Sequence, residues 1–191
     1  MNSKEMNEWT IIESCWKEGL FATTLKLIQK FIDKYPRKPQ AWLILGDCYL
    51  NFALFNNARN AFEKSMKLCP TSKKDLPYHY MGLLYREKGN YRTAEKWHKK
   101  ALGINPKESI YFVFLGSSLV RQEKYYEAKM LYQKAIRYNI SPLDEIYLNL
   151  GYIYRAEGKY KQAKECLENA LNVDLKYEEA RIALRDCNNC I

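Results

Sequence analysis

Histidine is nearly absent from this chain, which has His79 and His98 and no other. No H-E-x-x-H helix can be written from them, and neither a Gly-rich phosphate loop nor a pair of C-x-x-C motifs occurs. The usual sequence signatures of metallopeptidase, nucleotide-binding and zinc-ribbon chemistry are therefore missing. Long apolar runs are missing too, so no transmembrane helix is expected. The opening MNSKEMNEWT lacks the apolar stretch of a secretory signal, and a cytoplasmic or nucleoplasmic location is the expectation. Acid is in deficit: 22 Asp and Glu stand against 31 Lys and Arg, a formal charge of +9. That balance favours acidic partners, whether peptide, membrane surface or nucleic acid. The carboxylates present are scattered as on solvated helix faces. Neither catalysis nor a cofactor is expected.

Cysteine is present but without a pattern that carries chemistry. Cys15, Cys48, Cys69 and Cys166 fall in apolar helical stripes or at a helix end, where a free thiol behaves as a small apolar group. Cys187 and Cys190 form one C-x-x-C, with no second ligand pair at zinc spacing and no βαβ context for redox work. They read as the tail of the last helix. Asn139-Ile140-Ser141 is a glycosylation sequon by pattern alone.

What the sequence has is repetition. The stretch 75–108 reads as two helices with Gly89-Asn90 between them, each with one apolar stripe. Gly82 has counterparts at Gly46, Gly116 and Gly151. Ala94 has counterparts at Ala58, Ala128 and Ala163, and Tyr78 at Trp42, Phe112 and Tyr147. All three columns step by 36, 34 and 35 residues. The base period is 34, with two residues inserted near Lys73-Lys74 and one at Leu143. Small residues let helix backbones approach, and large aromatics fill the space beside them. Most of the 16 tyrosines are accordingly expected in the core.

A 34-residue helix–turn–helix period with this pattern resembles the tetratricopeptide repeat family. Repeat two carries the motif most fully, with Trp42, Leu45, Gly46, Tyr49, Ala58, Phe62 and Pro70. The resemblance implies an all-α fold, a right-handed superhelical solenoid of antiparallel helix pairs. It covers 1–191 as a single domain, with repeats at 5–38, 39–72, 75–108, 109–142 and 144–177 and a capping helix over 178–191. Repeat one is the most degenerate: Ile12, Thr24 and Phe31 stand where the family has small residues.

The resemblance also implies where a ligand sits. In this family the first helix of each repeat lines a concave groove. By register the candidate groove residues are Leu43, Asp47, His79, Leu83, Arg86, Val113, Ser117, Arg121, Leu148, Tyr152 and Arg155. Repeat one would add Trp9, Glu13, Trp16 and Lys17. Leu43, Leu83, Val113, Leu148 and Tyr152 would form an apolar floor. Arg86, Arg121 and Arg155, one on each of three successive first helices, suit carboxylates through their planar forks. The chaperone carboxylate clamp found in many relatives is not matched, because Trp9, Glu13, Ile44, Leu76 and Tyr80 stand at its polar positions. The implied function is a non-catalytic adaptor or scaffold that binds a peptide segment of a protein partner, one bearing acidic groups. RNA binding is an alternative, disfavoured because the lysines of the second helices are interleaved with Glu95, Glu127, Glu165 and Glu168. Self-assembly into a homo-oligomer is another, with Trp9 and Trp16 as contacts if exposed. His98 takes a large-residue position and is expected to be packed.

Overall fold

In the computed structural model, residues 3–140 and 142–188 are described, and among them the chain is helical with no strand. The helices follow one another in the expected register. The first pair is α1 (Ser3–Lys17) and α2 (Phe21–Lys34), and the second α3 (Pro39–Asn51) and α4 (Phe55–Leu68). In the register of the third repeat follow α5 (Asp75–Glu87) and α6 (Tyr91–Ile104), and the fourth pair is α7 (Ser109–Val120) and α8 (Tyr125–Arg137). The fifth is α9 (Leu143–Ala156) and α10 (Tyr160–Val173), followed by α11 (Glu178–Asn188). The two residues inserted after repeat two are taken up in a short 3-10 turn, Thr71–Lys73. Cys190 of the C-x-x-C and Ser141 of the sequon lie outside the described residues.

By contact density the chain forms two compact units, 1–89 and 90–191, so the boundary falls between α5 and α6. In the first unit, α2 buries Thr24, Ile28, Phe31 and Ile32, a spacing that keeps all four on one helical face. Ile28, Phe31 and Ile32 meet Ile12, Ile44, Leu45 and Cys48 in one apolar cluster. Pro39 opens α3, where a missing N–H costs nothing. In the second unit one cluster joins Phe112, Leu115, Tyr132, Ile146 and Leu150. A second joins Leu148 and Leu167 to Ala180, Ala183 and Cys187 of α11, so that helix covers the open apolar side of α9 and α10.

The glycine column has a specific steric reason. A Cβ built on Gly46 would run into the ring of Phe62, and one on Gly116 into the ring of Tyr132. On Gly151 it would lie 2.8 Å from Leu167 Cδ2. In each case the large side chain stands sixteen residues further on, on the second helix of the same repeat. Repeat one meets the same requirement differently. Ile12 replaces glycine, and the residue sixteen further on is Ile28; both are buried, at 2% and 0% exposure. Two medium side chains share the space that elsewhere goes to one large one.

The turns inside the repeats form another column. Gly19, Ala53, Gly89, Glu123 and Gly158 all have positive φ, from 56° at Ala53 to 74° at Gly19. After Gly19, Ala53, Glu123 and Gly158 the next residue donates its N–H back across the helix end, as Leu54 does to the Tyr49 carbonyl at 2.8 Å and Lys124 to that of Leu119 at 3.0 Å. This is a left-handed C-terminal cap, in which the last orphan carbonyls are satisfied. At Ala53 and Glu123 a Cβ sits in a conformation that disfavours it by roughly 1–2 kcal/mol, partly offset by the greater unfolded-state freedom of glycine. Ala53→Gly and Glu123→Gly should each therefore raise stability by about 0.5–1 kcal/mol. Calorimetry checks this, and a fall in Tm for both variants would show that the cap conformation is wrongly assigned.

Candidate functional site

The first-helix positions divide by exposure. In the first unit Leu43 and His79 are buried, at 7% and 6% exposure. In the second, Val113 and Leu148 are buried at 3% each, inside the core clusters. The expected apolar floor is thus mostly closed. These side chains fill the seams between neighbouring helices, which spacing along one helix does not reveal. Leu83, Ser117 and Tyr152 stay partly accessible, and so do Asp47, Arg86 and Arg155, while Arg121 is exposed.

Asp47 already has a partner. The Trp16 indole Nε1–H donates to its Oδ2 at 2.7 Å, joining α1 to α3. Burial pushes the Asp47 carboxyl up, and the indole hydrogen bond pulls it back in part. Trp9 packs on Phe31 with ring centroids 5.4 Å apart, and both tryptophans border the first-unit core. Neither supplies the exposed aromatic contact expected for self-assembly. Burial, together with the nearby Arg86 charge, pushes the His79 imidazole down to about 4. It is neutral at physiological pH.

Leu83 and Arg86 do come together. With Leu50, Asn51, Ala53, Phe55 and Glu87 they line a cavity of about 430 Å³. Arg86 Nη2 lies 3.1 Å from Glu87 Oε1 at its rim. Phe55 begins a second helix, so a search restricted to first helices passes it over. Its signal is that it follows the left-handed Ala53 by two residues, which places it beside the end of α3.

In the second unit the two arginines are braced on rings. The Arg121 guanidinium stands 5.8 Å from the Tyr91 centroid and that of Arg155 5.2 Å from Tyr152. A cation over a ring at this range is attracted by the ring's electrons, and the guanidinium can still meet an anion through its N–H groups. The capping helix brings acid to the same place: Asp186 Oδ2 is 3.9 Å from Arg155 Nη1, and the Tyr152 hydroxyl donates to Glu179 Oε1 at 3.1 Å.

Cys48 and Cys166 are held as thiols. Burial pushes Cys48 up to about 12 and Cys166 to about 11, well above the range in which a thiolate forms at neutral pH. His98 is fully buried, stacked on Phe114 at 5.9 Å. Among the described residues no cluster of three or more His, Cys, Asp or Glu is placed to hold a metal ion. None of the described helices is long and apolar enough to cross a membrane.

Comparison with known proteins bears on the same register. Residues 39–72, 77–108 and 144–177 each match the family model described as tetratricopeptide repeat. Human tetratricopeptide repeat protein 7A is 28% identical over 174 residues, which is 88% of this chain. The chain is short beside such curated relatives and spans 18% of that one. Among solved structures, a thermophilic tetratricopeptide repeat protein of Thermus thermophilus superposes with a TM-score of 0.71 at 18% identity, over 97% of this chain and 99% of its own. YrrB, described as having an unusual peptide-binding site, superposes with a TM-score of 0.67 at 16% identity, over 96% and 94% of the two chains. At these identities the likeness to the solved structures is one of fold.

Proposed function

The chain belongs to the tetratricopeptide repeat family, and from that premise we propose that it is a non-catalytic cytoplasmic scaffold holding a peptide segment of a partner protein on the first helices of its repeats. The observation that carries this reading is the cavity at the end of α3 and α5, where Leu50, Phe55 and Leu83 make an apolar wall beside the Arg86 guanidinium. An apolar pocket with one charged fork selects a side chain next to a carboxylate rather than either alone. Arg121 and Arg155, beside the rings of Tyr91 and Tyr152, offer the same chemistry in the second unit. The approach of Asp186 to Arg155 is in keeping with a carboxylate ligand there. The description of YrrB by its peptide-binding site accords with such a use of the fold.

The reading requires that the arginines matter to binding and not to folding. Beads carrying the wild-type chain should retain a set of proteins that the Arg86→Glu, Arg121→Glu, Arg155→Glu variant loses, with both chains showing the same helical circular dichroism. Identical sets on the two proteins would sink the arginine reading.

A further inference from the structure

The second helices of the second unit carry a surface that the first-helix reading does not use. Two adjoining cavities, of about 530 Å³ and about 690 Å³, lie along α8 and share Lys134 and Tyr138. Their buried floor is apolar: Leu115 and Leu119 in one, Phe112 and Ile140 in the other. Above it stand Tyr126 at 73% exposure, Tyr138 at 64% and Met130 at 51%. Tyr126 and Met130, one turn apart on α8, and Tyr138 just past its end are exposed to this degree beside open cavities and mark an interaction surface rather than a packing defect.

Its charge is one-sided. Lys107, Lys134 and Arg137 are exposed, and among the described residues none of them has an ion-pair partner. Lys99, also in the lining, is held by Glu95 at 2.6 Å, and Glu127 is the one carboxylate in the two linings. We propose that this outer face of α8 is a second docking site, independent of the first-helix surface, for an acidic peptide segment that seats one bulky apolar side chain. The cavities take the apolar side chain, and the three unpaired cations face the flanking carboxylates. A nucleic acid fits less well. The floor of leucine, phenylalanine and isoleucine offers no hydrogen bond to a base edge, and Glu127 interrupts the row of cations that a phosphate track needs.

The test is a titration of the ¹⁵N-labelled full chain with the peptide acetyl-Asp-Glu-Glu-Phe-Asp-Glu-Glu-amide. Its Asn/Gln analogue and a ten-nucleotide oligouridine serve as competitors. Amide shifts should be confined to 99, 107, 112–119 and 126–140. Lys107→Glu, Lys134→Glu, Arg137→Glu should weaken binding by about tenfold or more, while the Arg86, Arg121, Arg155 charge-reversal variant binds as wild type. The proposal is overturned by the absence of shifts at ~1 mM peptide, by shifts lost instead in the first-helix variant, by equal binding of the neutral analogue, or by tighter binding of oligouridine. Failure of the first-helix reading would appear separately, in the protein-retention comparison.

Discussion

Gly116→Ala lowers stability by about 2 kcal/mol in the wild-type chain and by much less once Tyr132 is leucine. The added methyl has no room, because the Tyr132 ring occupies the place of the missing Cβ. That ring is itself fully buried, and its hydroxyl reaches the Val113 carbonyl at 3.4 Å, so it cannot swing away freely. Overpacking of this kind costs typically 1–3 kcal/mol, and the better helix propensity of alanine returns up to ~1 kcal/mol. In a chain of this length the net loss corresponds to a fall of roughly 4–8 °C in Tm. Tyr132→Leu alone is also destabilising, since it empties part of a packed site. The pair is nevertheless predicted to be less harmful than the sum, because Gly151 with Leu167 and Ile12 with Ile28 already show smaller partners in the same two positions. Denaturant unfolding of the four proteins closes the cycle. Equal losses from Gly116→Ala in both backgrounds would mean that the two positions do not share one space.

Glu95→Gln is expected to cost roughly 1.5–3 kcal/mol at neutral pH, the range for hydrogen bonds to a charged group. Glu95 is a buried residue of α6, and three donors converge on its carboxylate: Lys99 at 2.6 Å, Lys124 at 2.9 Å and Gln122 at 2.9 Å. Lys124 and Gln122 belong to the turn between α7 and α8, so the carboxylate ties α6 to the pair that follows it. Burial pushes the group up, but the hydrogen bonds from Lys124, Lys99 and Gln122 outweigh it and hold the carboxyl at about 2 against an ordinary 4.5. Because the folded-state value is depressed, the stabilisation is present above pH 4.5 and is lost as pH falls from 4.5 through about 2. The Tm of the wild type should therefore drop more steeply than that of Glu95→Gln across this window, and the two curves should converge at its acid end. Parallel curves would show that the carboxylate contributes nothing in its charged form.

Much of this architecture could be read before any coordinates. Glycine and alanine columns at matched offsets locate the helix pairs, and the extra residues near Lys73 become the 3-10 turn. Those signals are local, because a turn residue or a small residue imposes its effect within its own repeat. The candidate site is legible only in part, since exposure depends on what lies across from a side chain. Leu43, Val113 and Leu148 sit at groove positions by register yet are covered by neighbouring helices. The Trp16–Asp47 hydrogen bond spans 31 positions, and no spacing rule along one helix predicts it. Expectation failed in the opposite sense at Tyr126 and Tyr138. They share the residue type of core Tyr111 and Tyr132 but stand in solvent, because composition cannot say which face of a helix an aromatic side chain occupies.

Gly46, Gly116 and Gly151 each sit within the same thirty-odd residues as the bulky side chain that fills the notch. Steric fit is thus settled inside a repeat before any neighbour is added. A repeat cut from this chain and grafted into a foreign array should carry its own lock with it, leaving only its outward seams to be matched to the new host.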